Sequence, residues 1–146
     1  MTVAITPLTP VFAGEVGPID LRRVYDRPSL EAIRAGMDKY AVLVFRDQHF
    51  TDQEQLEFAE RFDGTLHART SSSAIGSNRF GNEALADISN VTVDGKVAPR
   101  DHAKIVNNIA NQLWHSDSSF QKPAARYSML HAVVIPDKGG ETEFAD

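Results

Sequence analysis

The sequence predicts an α+β fold, because two amphipathic helical segments lie within the first 62 residues, strand-like segments gather after Leu85, and no repeat or linker interrupts the 146 residues. Residues 1–146 therefore read as one domain. Ile5 to Val16 holds short apolar stretches broken by Pro7, Pro10 and Gly14, which is the pattern of short strands and turns. Ser29 stands as an N-cap, with Glu31 in the first turn and Leu30, Ile33 and Met37 at helical spacing, so a helix runs to about Lys39. Ala41 to Phe45 is a continuous apolar run of strand length, expected to be covered on both faces. Thr51, Asp52, Gln53 and Glu54 spell a capping box, and Leu56, Ala59 and Phe62 form the apolar face of a second helix ending before Gly64.

From His67 to Asn82 the text is rich in Ser, Gly and Asn and has no period, so a long mobile loop is expected. Leu85 to Val93 alternates as a strand, Asp94-Gly95 is a hairpin turn signal, and Val97 begins the return. Ala125 to Ile135 is the clearest strand, with Tyr127, Met129, His131, Val133 and Ile135 on one face and Arg126, Ser128, Leu130, Ala132 and Val134 on the other. Pro136 to Gly140 turns the chain into a last strand, Glu141 to Phe144.

A hydrophobic content of 42% with 24% charged residues argues against disorder, and a net charge of -5 with no Lys/Arg-rich run argues against nucleic acid or an anionic membrane as partner. No apolar run approaches membrane-spanning length and Pro7 breaks the N-terminus early, so the expected location is the cytoplasm. Zero Cys removes disulfides, thiolate metal sites and cysteine nucleophiles, which leaves His and carboxylates for a hard or borderline metal.

The segment Trp114-His115-Ser116-Asp117 is where that chemistry concentrates. On an extended segment residues i and i+2 project to one side, so His115 and Asp117 can aim an imidazole nitrogen and a carboxylate at one point. Two such ligands are two thirds of the 2-His-1-carboxylate triad that leaves three positions open on Fe(II). Spacing alone is weak evidence and favours two loop residues bonded to each other and to backbone. A serine hydrolase is excluded, since sequence neighbours cannot form an in-line Ser-His-Asp and no Gly-x-Ser-x-Gly is present.

The text around the pair decides. Asn111-Gln112-Leu113-Trp114-His115-Ser116-Asp117-Ser118-Ser119-Phe120, Pro123 to Leu130, and Gly139-Gly140-Glu141-Thr142-Glu143-Phe144 resemble the taurine dioxygenase-like family of Fe(II)/2-oxoglutarate oxygenases. The likeness extends back through Leu85 to Val91, Val42 to Gln48 and Ile5 to Leu8, and is strongest to members acting on phenoxyacetate herbicides such as 2,4-dichlorophenoxyacetate. It implies a double-stranded β-helix (jelly-roll) oxygenase core, incomplete here, with the N-terminal helices packed on it.

The implied reaction uses Fe(II), oxygen and 2-oxoglutarate as cosubstrate, with ascorbate as a helpful additive. It hydroxylates a small anionic aryloxyalkanoate beside the ether oxygen, giving a phenol and glyoxylate with succinate and CO2. Taurine, alkylsulfonates and sulfate esters are the alternative substrates within the family, and a non-catalytic fragment is the alternative outside it. Family members run to nearly twice this length and carry the second iron His and the Arg for the cosubstrate's distal carboxylate in their C-terminal half. None of His49, His67, His102 and His131 has that distal context, so this chain is expected to be inactive alone, and a homo-oligomer is expected only of the full-length protein.

The resemblance assigns residues one by one. His115 and Asp117 become metal ligands and catalytic residues, and Thr142 contacts a carboxylate oxygen of 2-oxoglutarate through its hydroxyl. Asn111, Arg69 and the backbone N–H of Ser118 face the substrate, against bland readings of Asn111 as a turn former, Arg69 as an exposed loop residue and Thr142 as an ordinary strand residue. Trp114 and Phe120 are expected to pack and so fix the loop, His131 to be a satisfied core or rim residue, and His49 and His102 to lie on the surface.

Overall fold

The computed structural model describes residues 2–62, 65–67, 79–117, 119 and 121–146. The chain forms two units, Met1–Gly64 together with His131–Asp146, and Thr65–Leu130.

In the first unit, strands β1 (Ile5–Pro7), β2 (Gly14–Val16) and β3 (Leu43–Phe45) form one sheet in that order. β1 runs antiparallel to β2 with Ile5 opposite Val16, and β2 runs parallel to β3 with Gly14 opposite Leu43. A parallel neighbour needs a crossover, and helix α1 (Arg27–Tyr40) supplies it. α1 starts earlier than its pattern suggested. Asp26 is the N-cap, its carboxylate accepting from the Ser29 N–H at 3.0 Å, and Pro28 occupies the first turn, where its missing N–H costs nothing. Ser29 instead lies fully buried on the stripe it shares with Ile33 and Gly36.

That stripe passes close to the sheet at Gly36, where a Cβ would run into Ile5 Cδ1 and lie 3.1 Å from Leu43 Cδ1. The helix ends in strain. Ala41 has φ 59° and ψ -37°, and Val42 N–H donates to Tyr40 O at 2.6 Å, a γ-turn of the hand L-residues rarely adopt.

Helix α2 (Asp52–Glu60) carries the expected capping box, in which Thr51 Oγ1 accepts from Glu54 N–H while the Glu54 carboxylate accepts from Thr51 N–H. Its inward residues are Leu56 and Phe58. Phe58 joins Leu21, Val24 and Ile33 in the core, stacked on Phe50 at 5.9 Å and edge-on to Phe62 at 5.3 Å. Ala59 and Phe62 of the expected face are only half-buried. Arg61 closes the 3₁₀ turn Leu21–Arg23 by donating to the carbonyls of Leu21 and Val24, both at 3.0 Å, with its guanidinium 3.7 Å over the Tyr25 ring.

The strand expected over Ala125–Ile135 does not form, and neither does the one at Glu141–Phe144. No ladder partner stands beside either among the described residues, and alternation by itself cannot satisfy a strand's N–H and C=O groups. Val133, Val134 and Ile135 are 72%, 82% and 80% exposed. His131, by contrast, is a rim residue as expected, with Nε2 3.1 Å from Gln48 O and its ring edge-on to Phe50.

In the second unit the strand expected at Leu85–Val93 shrinks to a single bridge, Val91 to Val97. Its alternation nevertheless survives as burial, with Leu85, Asp87, Ser89 and Val91 inward and Ala86, Ile88 and Asn90 outward. The Asp94-Gly95 turn holds. Thr92 N–H donates to Lys96 O, Gly95 N–H donates to Thr92 O, and Gly95 takes φ 80°. Helix α3 (Ala103–Asn108), continued by a 3₁₀ turn over Ile109–Gln112, was not anticipated from the sequence. His102, exposed as expected, opens it by accepting the Lys104 N–H on Nδ1 at 3.1 Å. The loop expected over His67–Asn82 lies largely outside the described residues, except for a turn at its end.

Candidate metal centre

The 3₁₀ turn delivers the chain to Leu113, Trp114 and His115 in the second unit. His115 Nδ1 lies 2.7 Å from Leu113 O. A carbonyl only accepts, so Nδ1 carries a proton and Nε2 is the nitrogen placed to ligate. Nε2 faces Asp117 Oδ1 at 3.4 Å, with the two side chains about half-exposed. Two acceptors at that separation repel unless a cation lies between them. A divalent metal would serve by ligation to both, so the donor set fits a borderline metal. The hydrogen bond to Leu113 O is also the kind of outer contact that fixes the tautomer of a ligating His.

Around the pair, Ser116 Oγ donates to Ser119 Oγ at 2.9 Å and tightens the turn. His67 Nδ1 donates to Gln121 Oε1, tying the chain before residue 68 to the loop after the pair. Asn111 is exposed within the 3₁₀ turn, and Thr142 is exposed in the first unit. Arg69, Ser118 and Phe120 lie outside the described residues. Trp114 does not pack as expected. It is 69% exposed, because nothing in the described chain covers an indole that the turn directs outward. Among the described residues no group of three or more His, Asp or Glu converges on one point.

Sequence reasoning missed a charged cluster in the same unit. Asp87, only 8% exposed, accepts from Arg79 Nε at 2.7 Å and Nη2 at 3.1 Å, and from Lys104 Nζ at 2.6 Å. The Arg79 bonds foremost, then those of Lys104 and Ser89, outweigh burial and hold the Asp87 carboxyl well below the usual carboxylate range. Lys104 Nζ also donates to Ser89 Oγ at 3.1 Å and Val91 O at 2.6 Å, while Asn108 Nδ2 donates to Ser89 O at 2.9 Å. An Asp at an inward-facing position of an alternating run was the available signal.

Residues 4–146 match the family described as taurine catabolism dioxygenase TauD, TfdA. The chain belongs to this family. Among curated TauD/TfdA relatives, the alpha-ketoglutarate-dependent 2,4-dichlorophenoxyacetate dioxygenase of Cupriavidus pinatubonensis is 51% identical over 146 residues, covering 100% of this chain and 50% of the relative. The (S)-phenoxypropionate/alpha-ketoglutarate-dioxygenase of Sphingobium herbicidovorans is 34% identical, covering 97% of this chain and 44% of the relative. This chain thus spans about half the length of the curated relatives it matches. The crystal structure of AAD-2 in complex with Mn(II) and N-oxalylglycine superposes with TM-score 0.68 at 38% identity, over 86% of this chain and 40% of that one.

Proposed function

We propose that this chain carries the His-x-Asp half of the active site of an Fe(II)- and 2-oxoglutarate-dependent dioxygenase that hydroxylates an aryloxyalkanoate. The observation that carries this is His115 Nε2 facing the Asp117 carboxylate at 3.4 Å, with Nδ1 held by Leu113 O. The 51% identity to a 2,4-dichlorophenoxyacetate dioxygenase supports the substrate class over a sulfonate or sulfate ester. One family model matching 4–146 supports a single catalytic domain built on a jelly-roll core whose further strands would pair with residues 125–135 and 141–144. The same reading places the protein in the cytoplasm; none of the described helices is long and apolar enough to cross a membrane.

In this reading His115 and Asp117 hold the metal and leave positions open for cosubstrate and oxygen. When bound, Fe(II) would let oxygen act as the oxidant, with one oxygen atom going to 2-oxoglutarate as it breaks down to succinate and CO2 and the other to the substrate. The Thr142 hydroxyl donates to a 2-oxoglutarate carboxylate oxygen. Arg69 holds the substrate carboxylate in a two-pronged grip, with Asn111 and the Ser118 N–H orienting the rest. Hydroxylation beside the ether oxygen then makes a hemiacetal, which releases a phenol and glyoxylate.

The experiment supplies the full-length protein with Fe(II), 2-oxoglutarate and 2,4-dichlorophenoxyacetate, following oxygen uptake and phenol release. Chelation of iron, His115→Ala and Asp117→Ala should each abolish both. Turnover of taurine or an alkyl sulfate with no phenol from any aryloxyacetate would move the substrate class, and undiminished activity in His115→Ala would remove the metal site.

A further inference from the structure

We infer that Asp87 and Lys104 are positioning residues for the His115–Asp117 pair, an inference that rests on the metal reading of that pair. A six-residue helix has too few internal hydrogen bonds to persist without tertiary contacts. Little apolar burial is on offer, since Val106 and Ile109 are 54% and 56% exposed. What anchors the helix is polar. Lys104 and Asn108, four residues apart and so on one face, both reach the inward side of the 85–91 segment.

Lys104 Nζ has three acceptors there, Asp87, Ser89 and Val91 O, and its side chain is 11% exposed. Arg79 donates to both oxygens of Asp87, sharing Oδ2 with Lys104, and so fixes the carboxylate that the helix is tied to. From Asn108 the chain runs without a break through the 3₁₀ turn to Leu113, whose carbonyl orients the His115 ring. The position of the Leu113 carbonyl, and with it the ring, is thereby set by the Asp87–Lys104 contact. Neither residue touches the metal pair.

Lys104→Met is the informative variant, because it releases α3 while Asp87 keeps both Arg79 bonds. In the full-length protein Mn(II) affinity, read from the electron paramagnetic resonance of the free ion, should fall about ten- to a hundredfold. Amide exchange should quicken over residues 103–112 but not over α1 or α2, and Lys104→Arg, which keeps a donor on Asp87, should recover most of both. Mn(II) binding within twofold of wild type in Lys104→Met, or weaker binding without faster exchange over 103–112, overturns the inference. If Lys104→Met does not fold, Asp87→Asn, which keeps the side-chain shape but takes the charge from the contact with Lys104 Nζ, serves in its place, and no change in either readout there overturns the inference equally. Failure of the metal reading shows separately, as wild-type protein that binds no Mn(II) or His115→Ala protein that binds it as well, and it takes this inference with it.

Discussion

Gly36→Ala sets two effects of known sign against each other. In a helix interior Ala is favoured over Gly by about 0.5–1 kcal/mol. At this site the new methyl would overlap Ile5 Cδ1 and press on Leu43 Cδ1 at 3.1 Å, and overpacking of this kind costs about 1–3 kcal/mol. Packing should win, for a net loss of about 1 kcal/mol, or about 2–4 °C in Tm for a domain of this family's size. The structure also names the remedy. Ile5→Val deletes the δ-methyl that the new Cβ meets, so in that background Gly36→Ala should be neutral or slightly stabilising. Urea unfolding of the four proteins in the double-mutant cycle measures a coupling of at least about 0.5 kcal/mol. Equal stabilisation by Gly36→Ala in both backgrounds would show that α1 does not approach β1 as closely as described, and would refute the packing argument.

Acid should loosen the second unit through Asp87. Its folded pKa lies below the unfolded value of about 3.9, so its contribution is complete above that value and fades as pH falls through it toward the folded pKa. Amide protection over residues 85–112, corrected for the intrinsic pH dependence of exchange, should therefore be flat above about pH 5 and fall below about pH 4, and an identical acid limb in Asp87→Asn would assign the effect elsewhere. Thr142→Val should chiefly raise the 2-oxoglutarate requirement, by about 1.5–3 kcal/mol or roughly ten- to a hundredfold, for loss of one hydroxyl bond to a charged group. An unaltered cosubstrate dependence would strike Thr142 from the site. Residues 1–146 expressed alone should release no succinate from 2-oxoglutarate with Fe(II), since no third His, Asp or Glu joins the pair among the described residues. Succinate formation by that chain would mean that another side chain completes the site.

Local signals determined by sequence proved durable where neighbouring residues alone satisfy them. The Thr51–Glu54 capping box and the Asp94-Gly95 turn close hydrogen bonds within a few residues, and both formed. The spacing of His115 and Asp117 is local too, since two positions separated by one residue on a bent segment can meet, while the ring's orientation depends on where α3 leaves the Leu113 carbonyl. Ser29 shows where local reading falls short. Its side chain could cap a helix, but Asp26 does so one turn earlier and Ser29 is drawn into the core stripe with Ile33 and Gly36.

Tertiary structure decided whatever needs a distant partner. Alternation over Ala125–Ile135 specifies two faces but cannot supply the second strand that a ladder requires, so the most strand-like text in the chain carries no strand. Asp87, Arg79 and Lys104 are unremarkable apart, separated by eight and seventeen residues, and became a buried cluster only when the 85–91 segment packed against α3. A charge can be buried only where opposite charges and donors converge on it, and that convergence is a property of the folded chain.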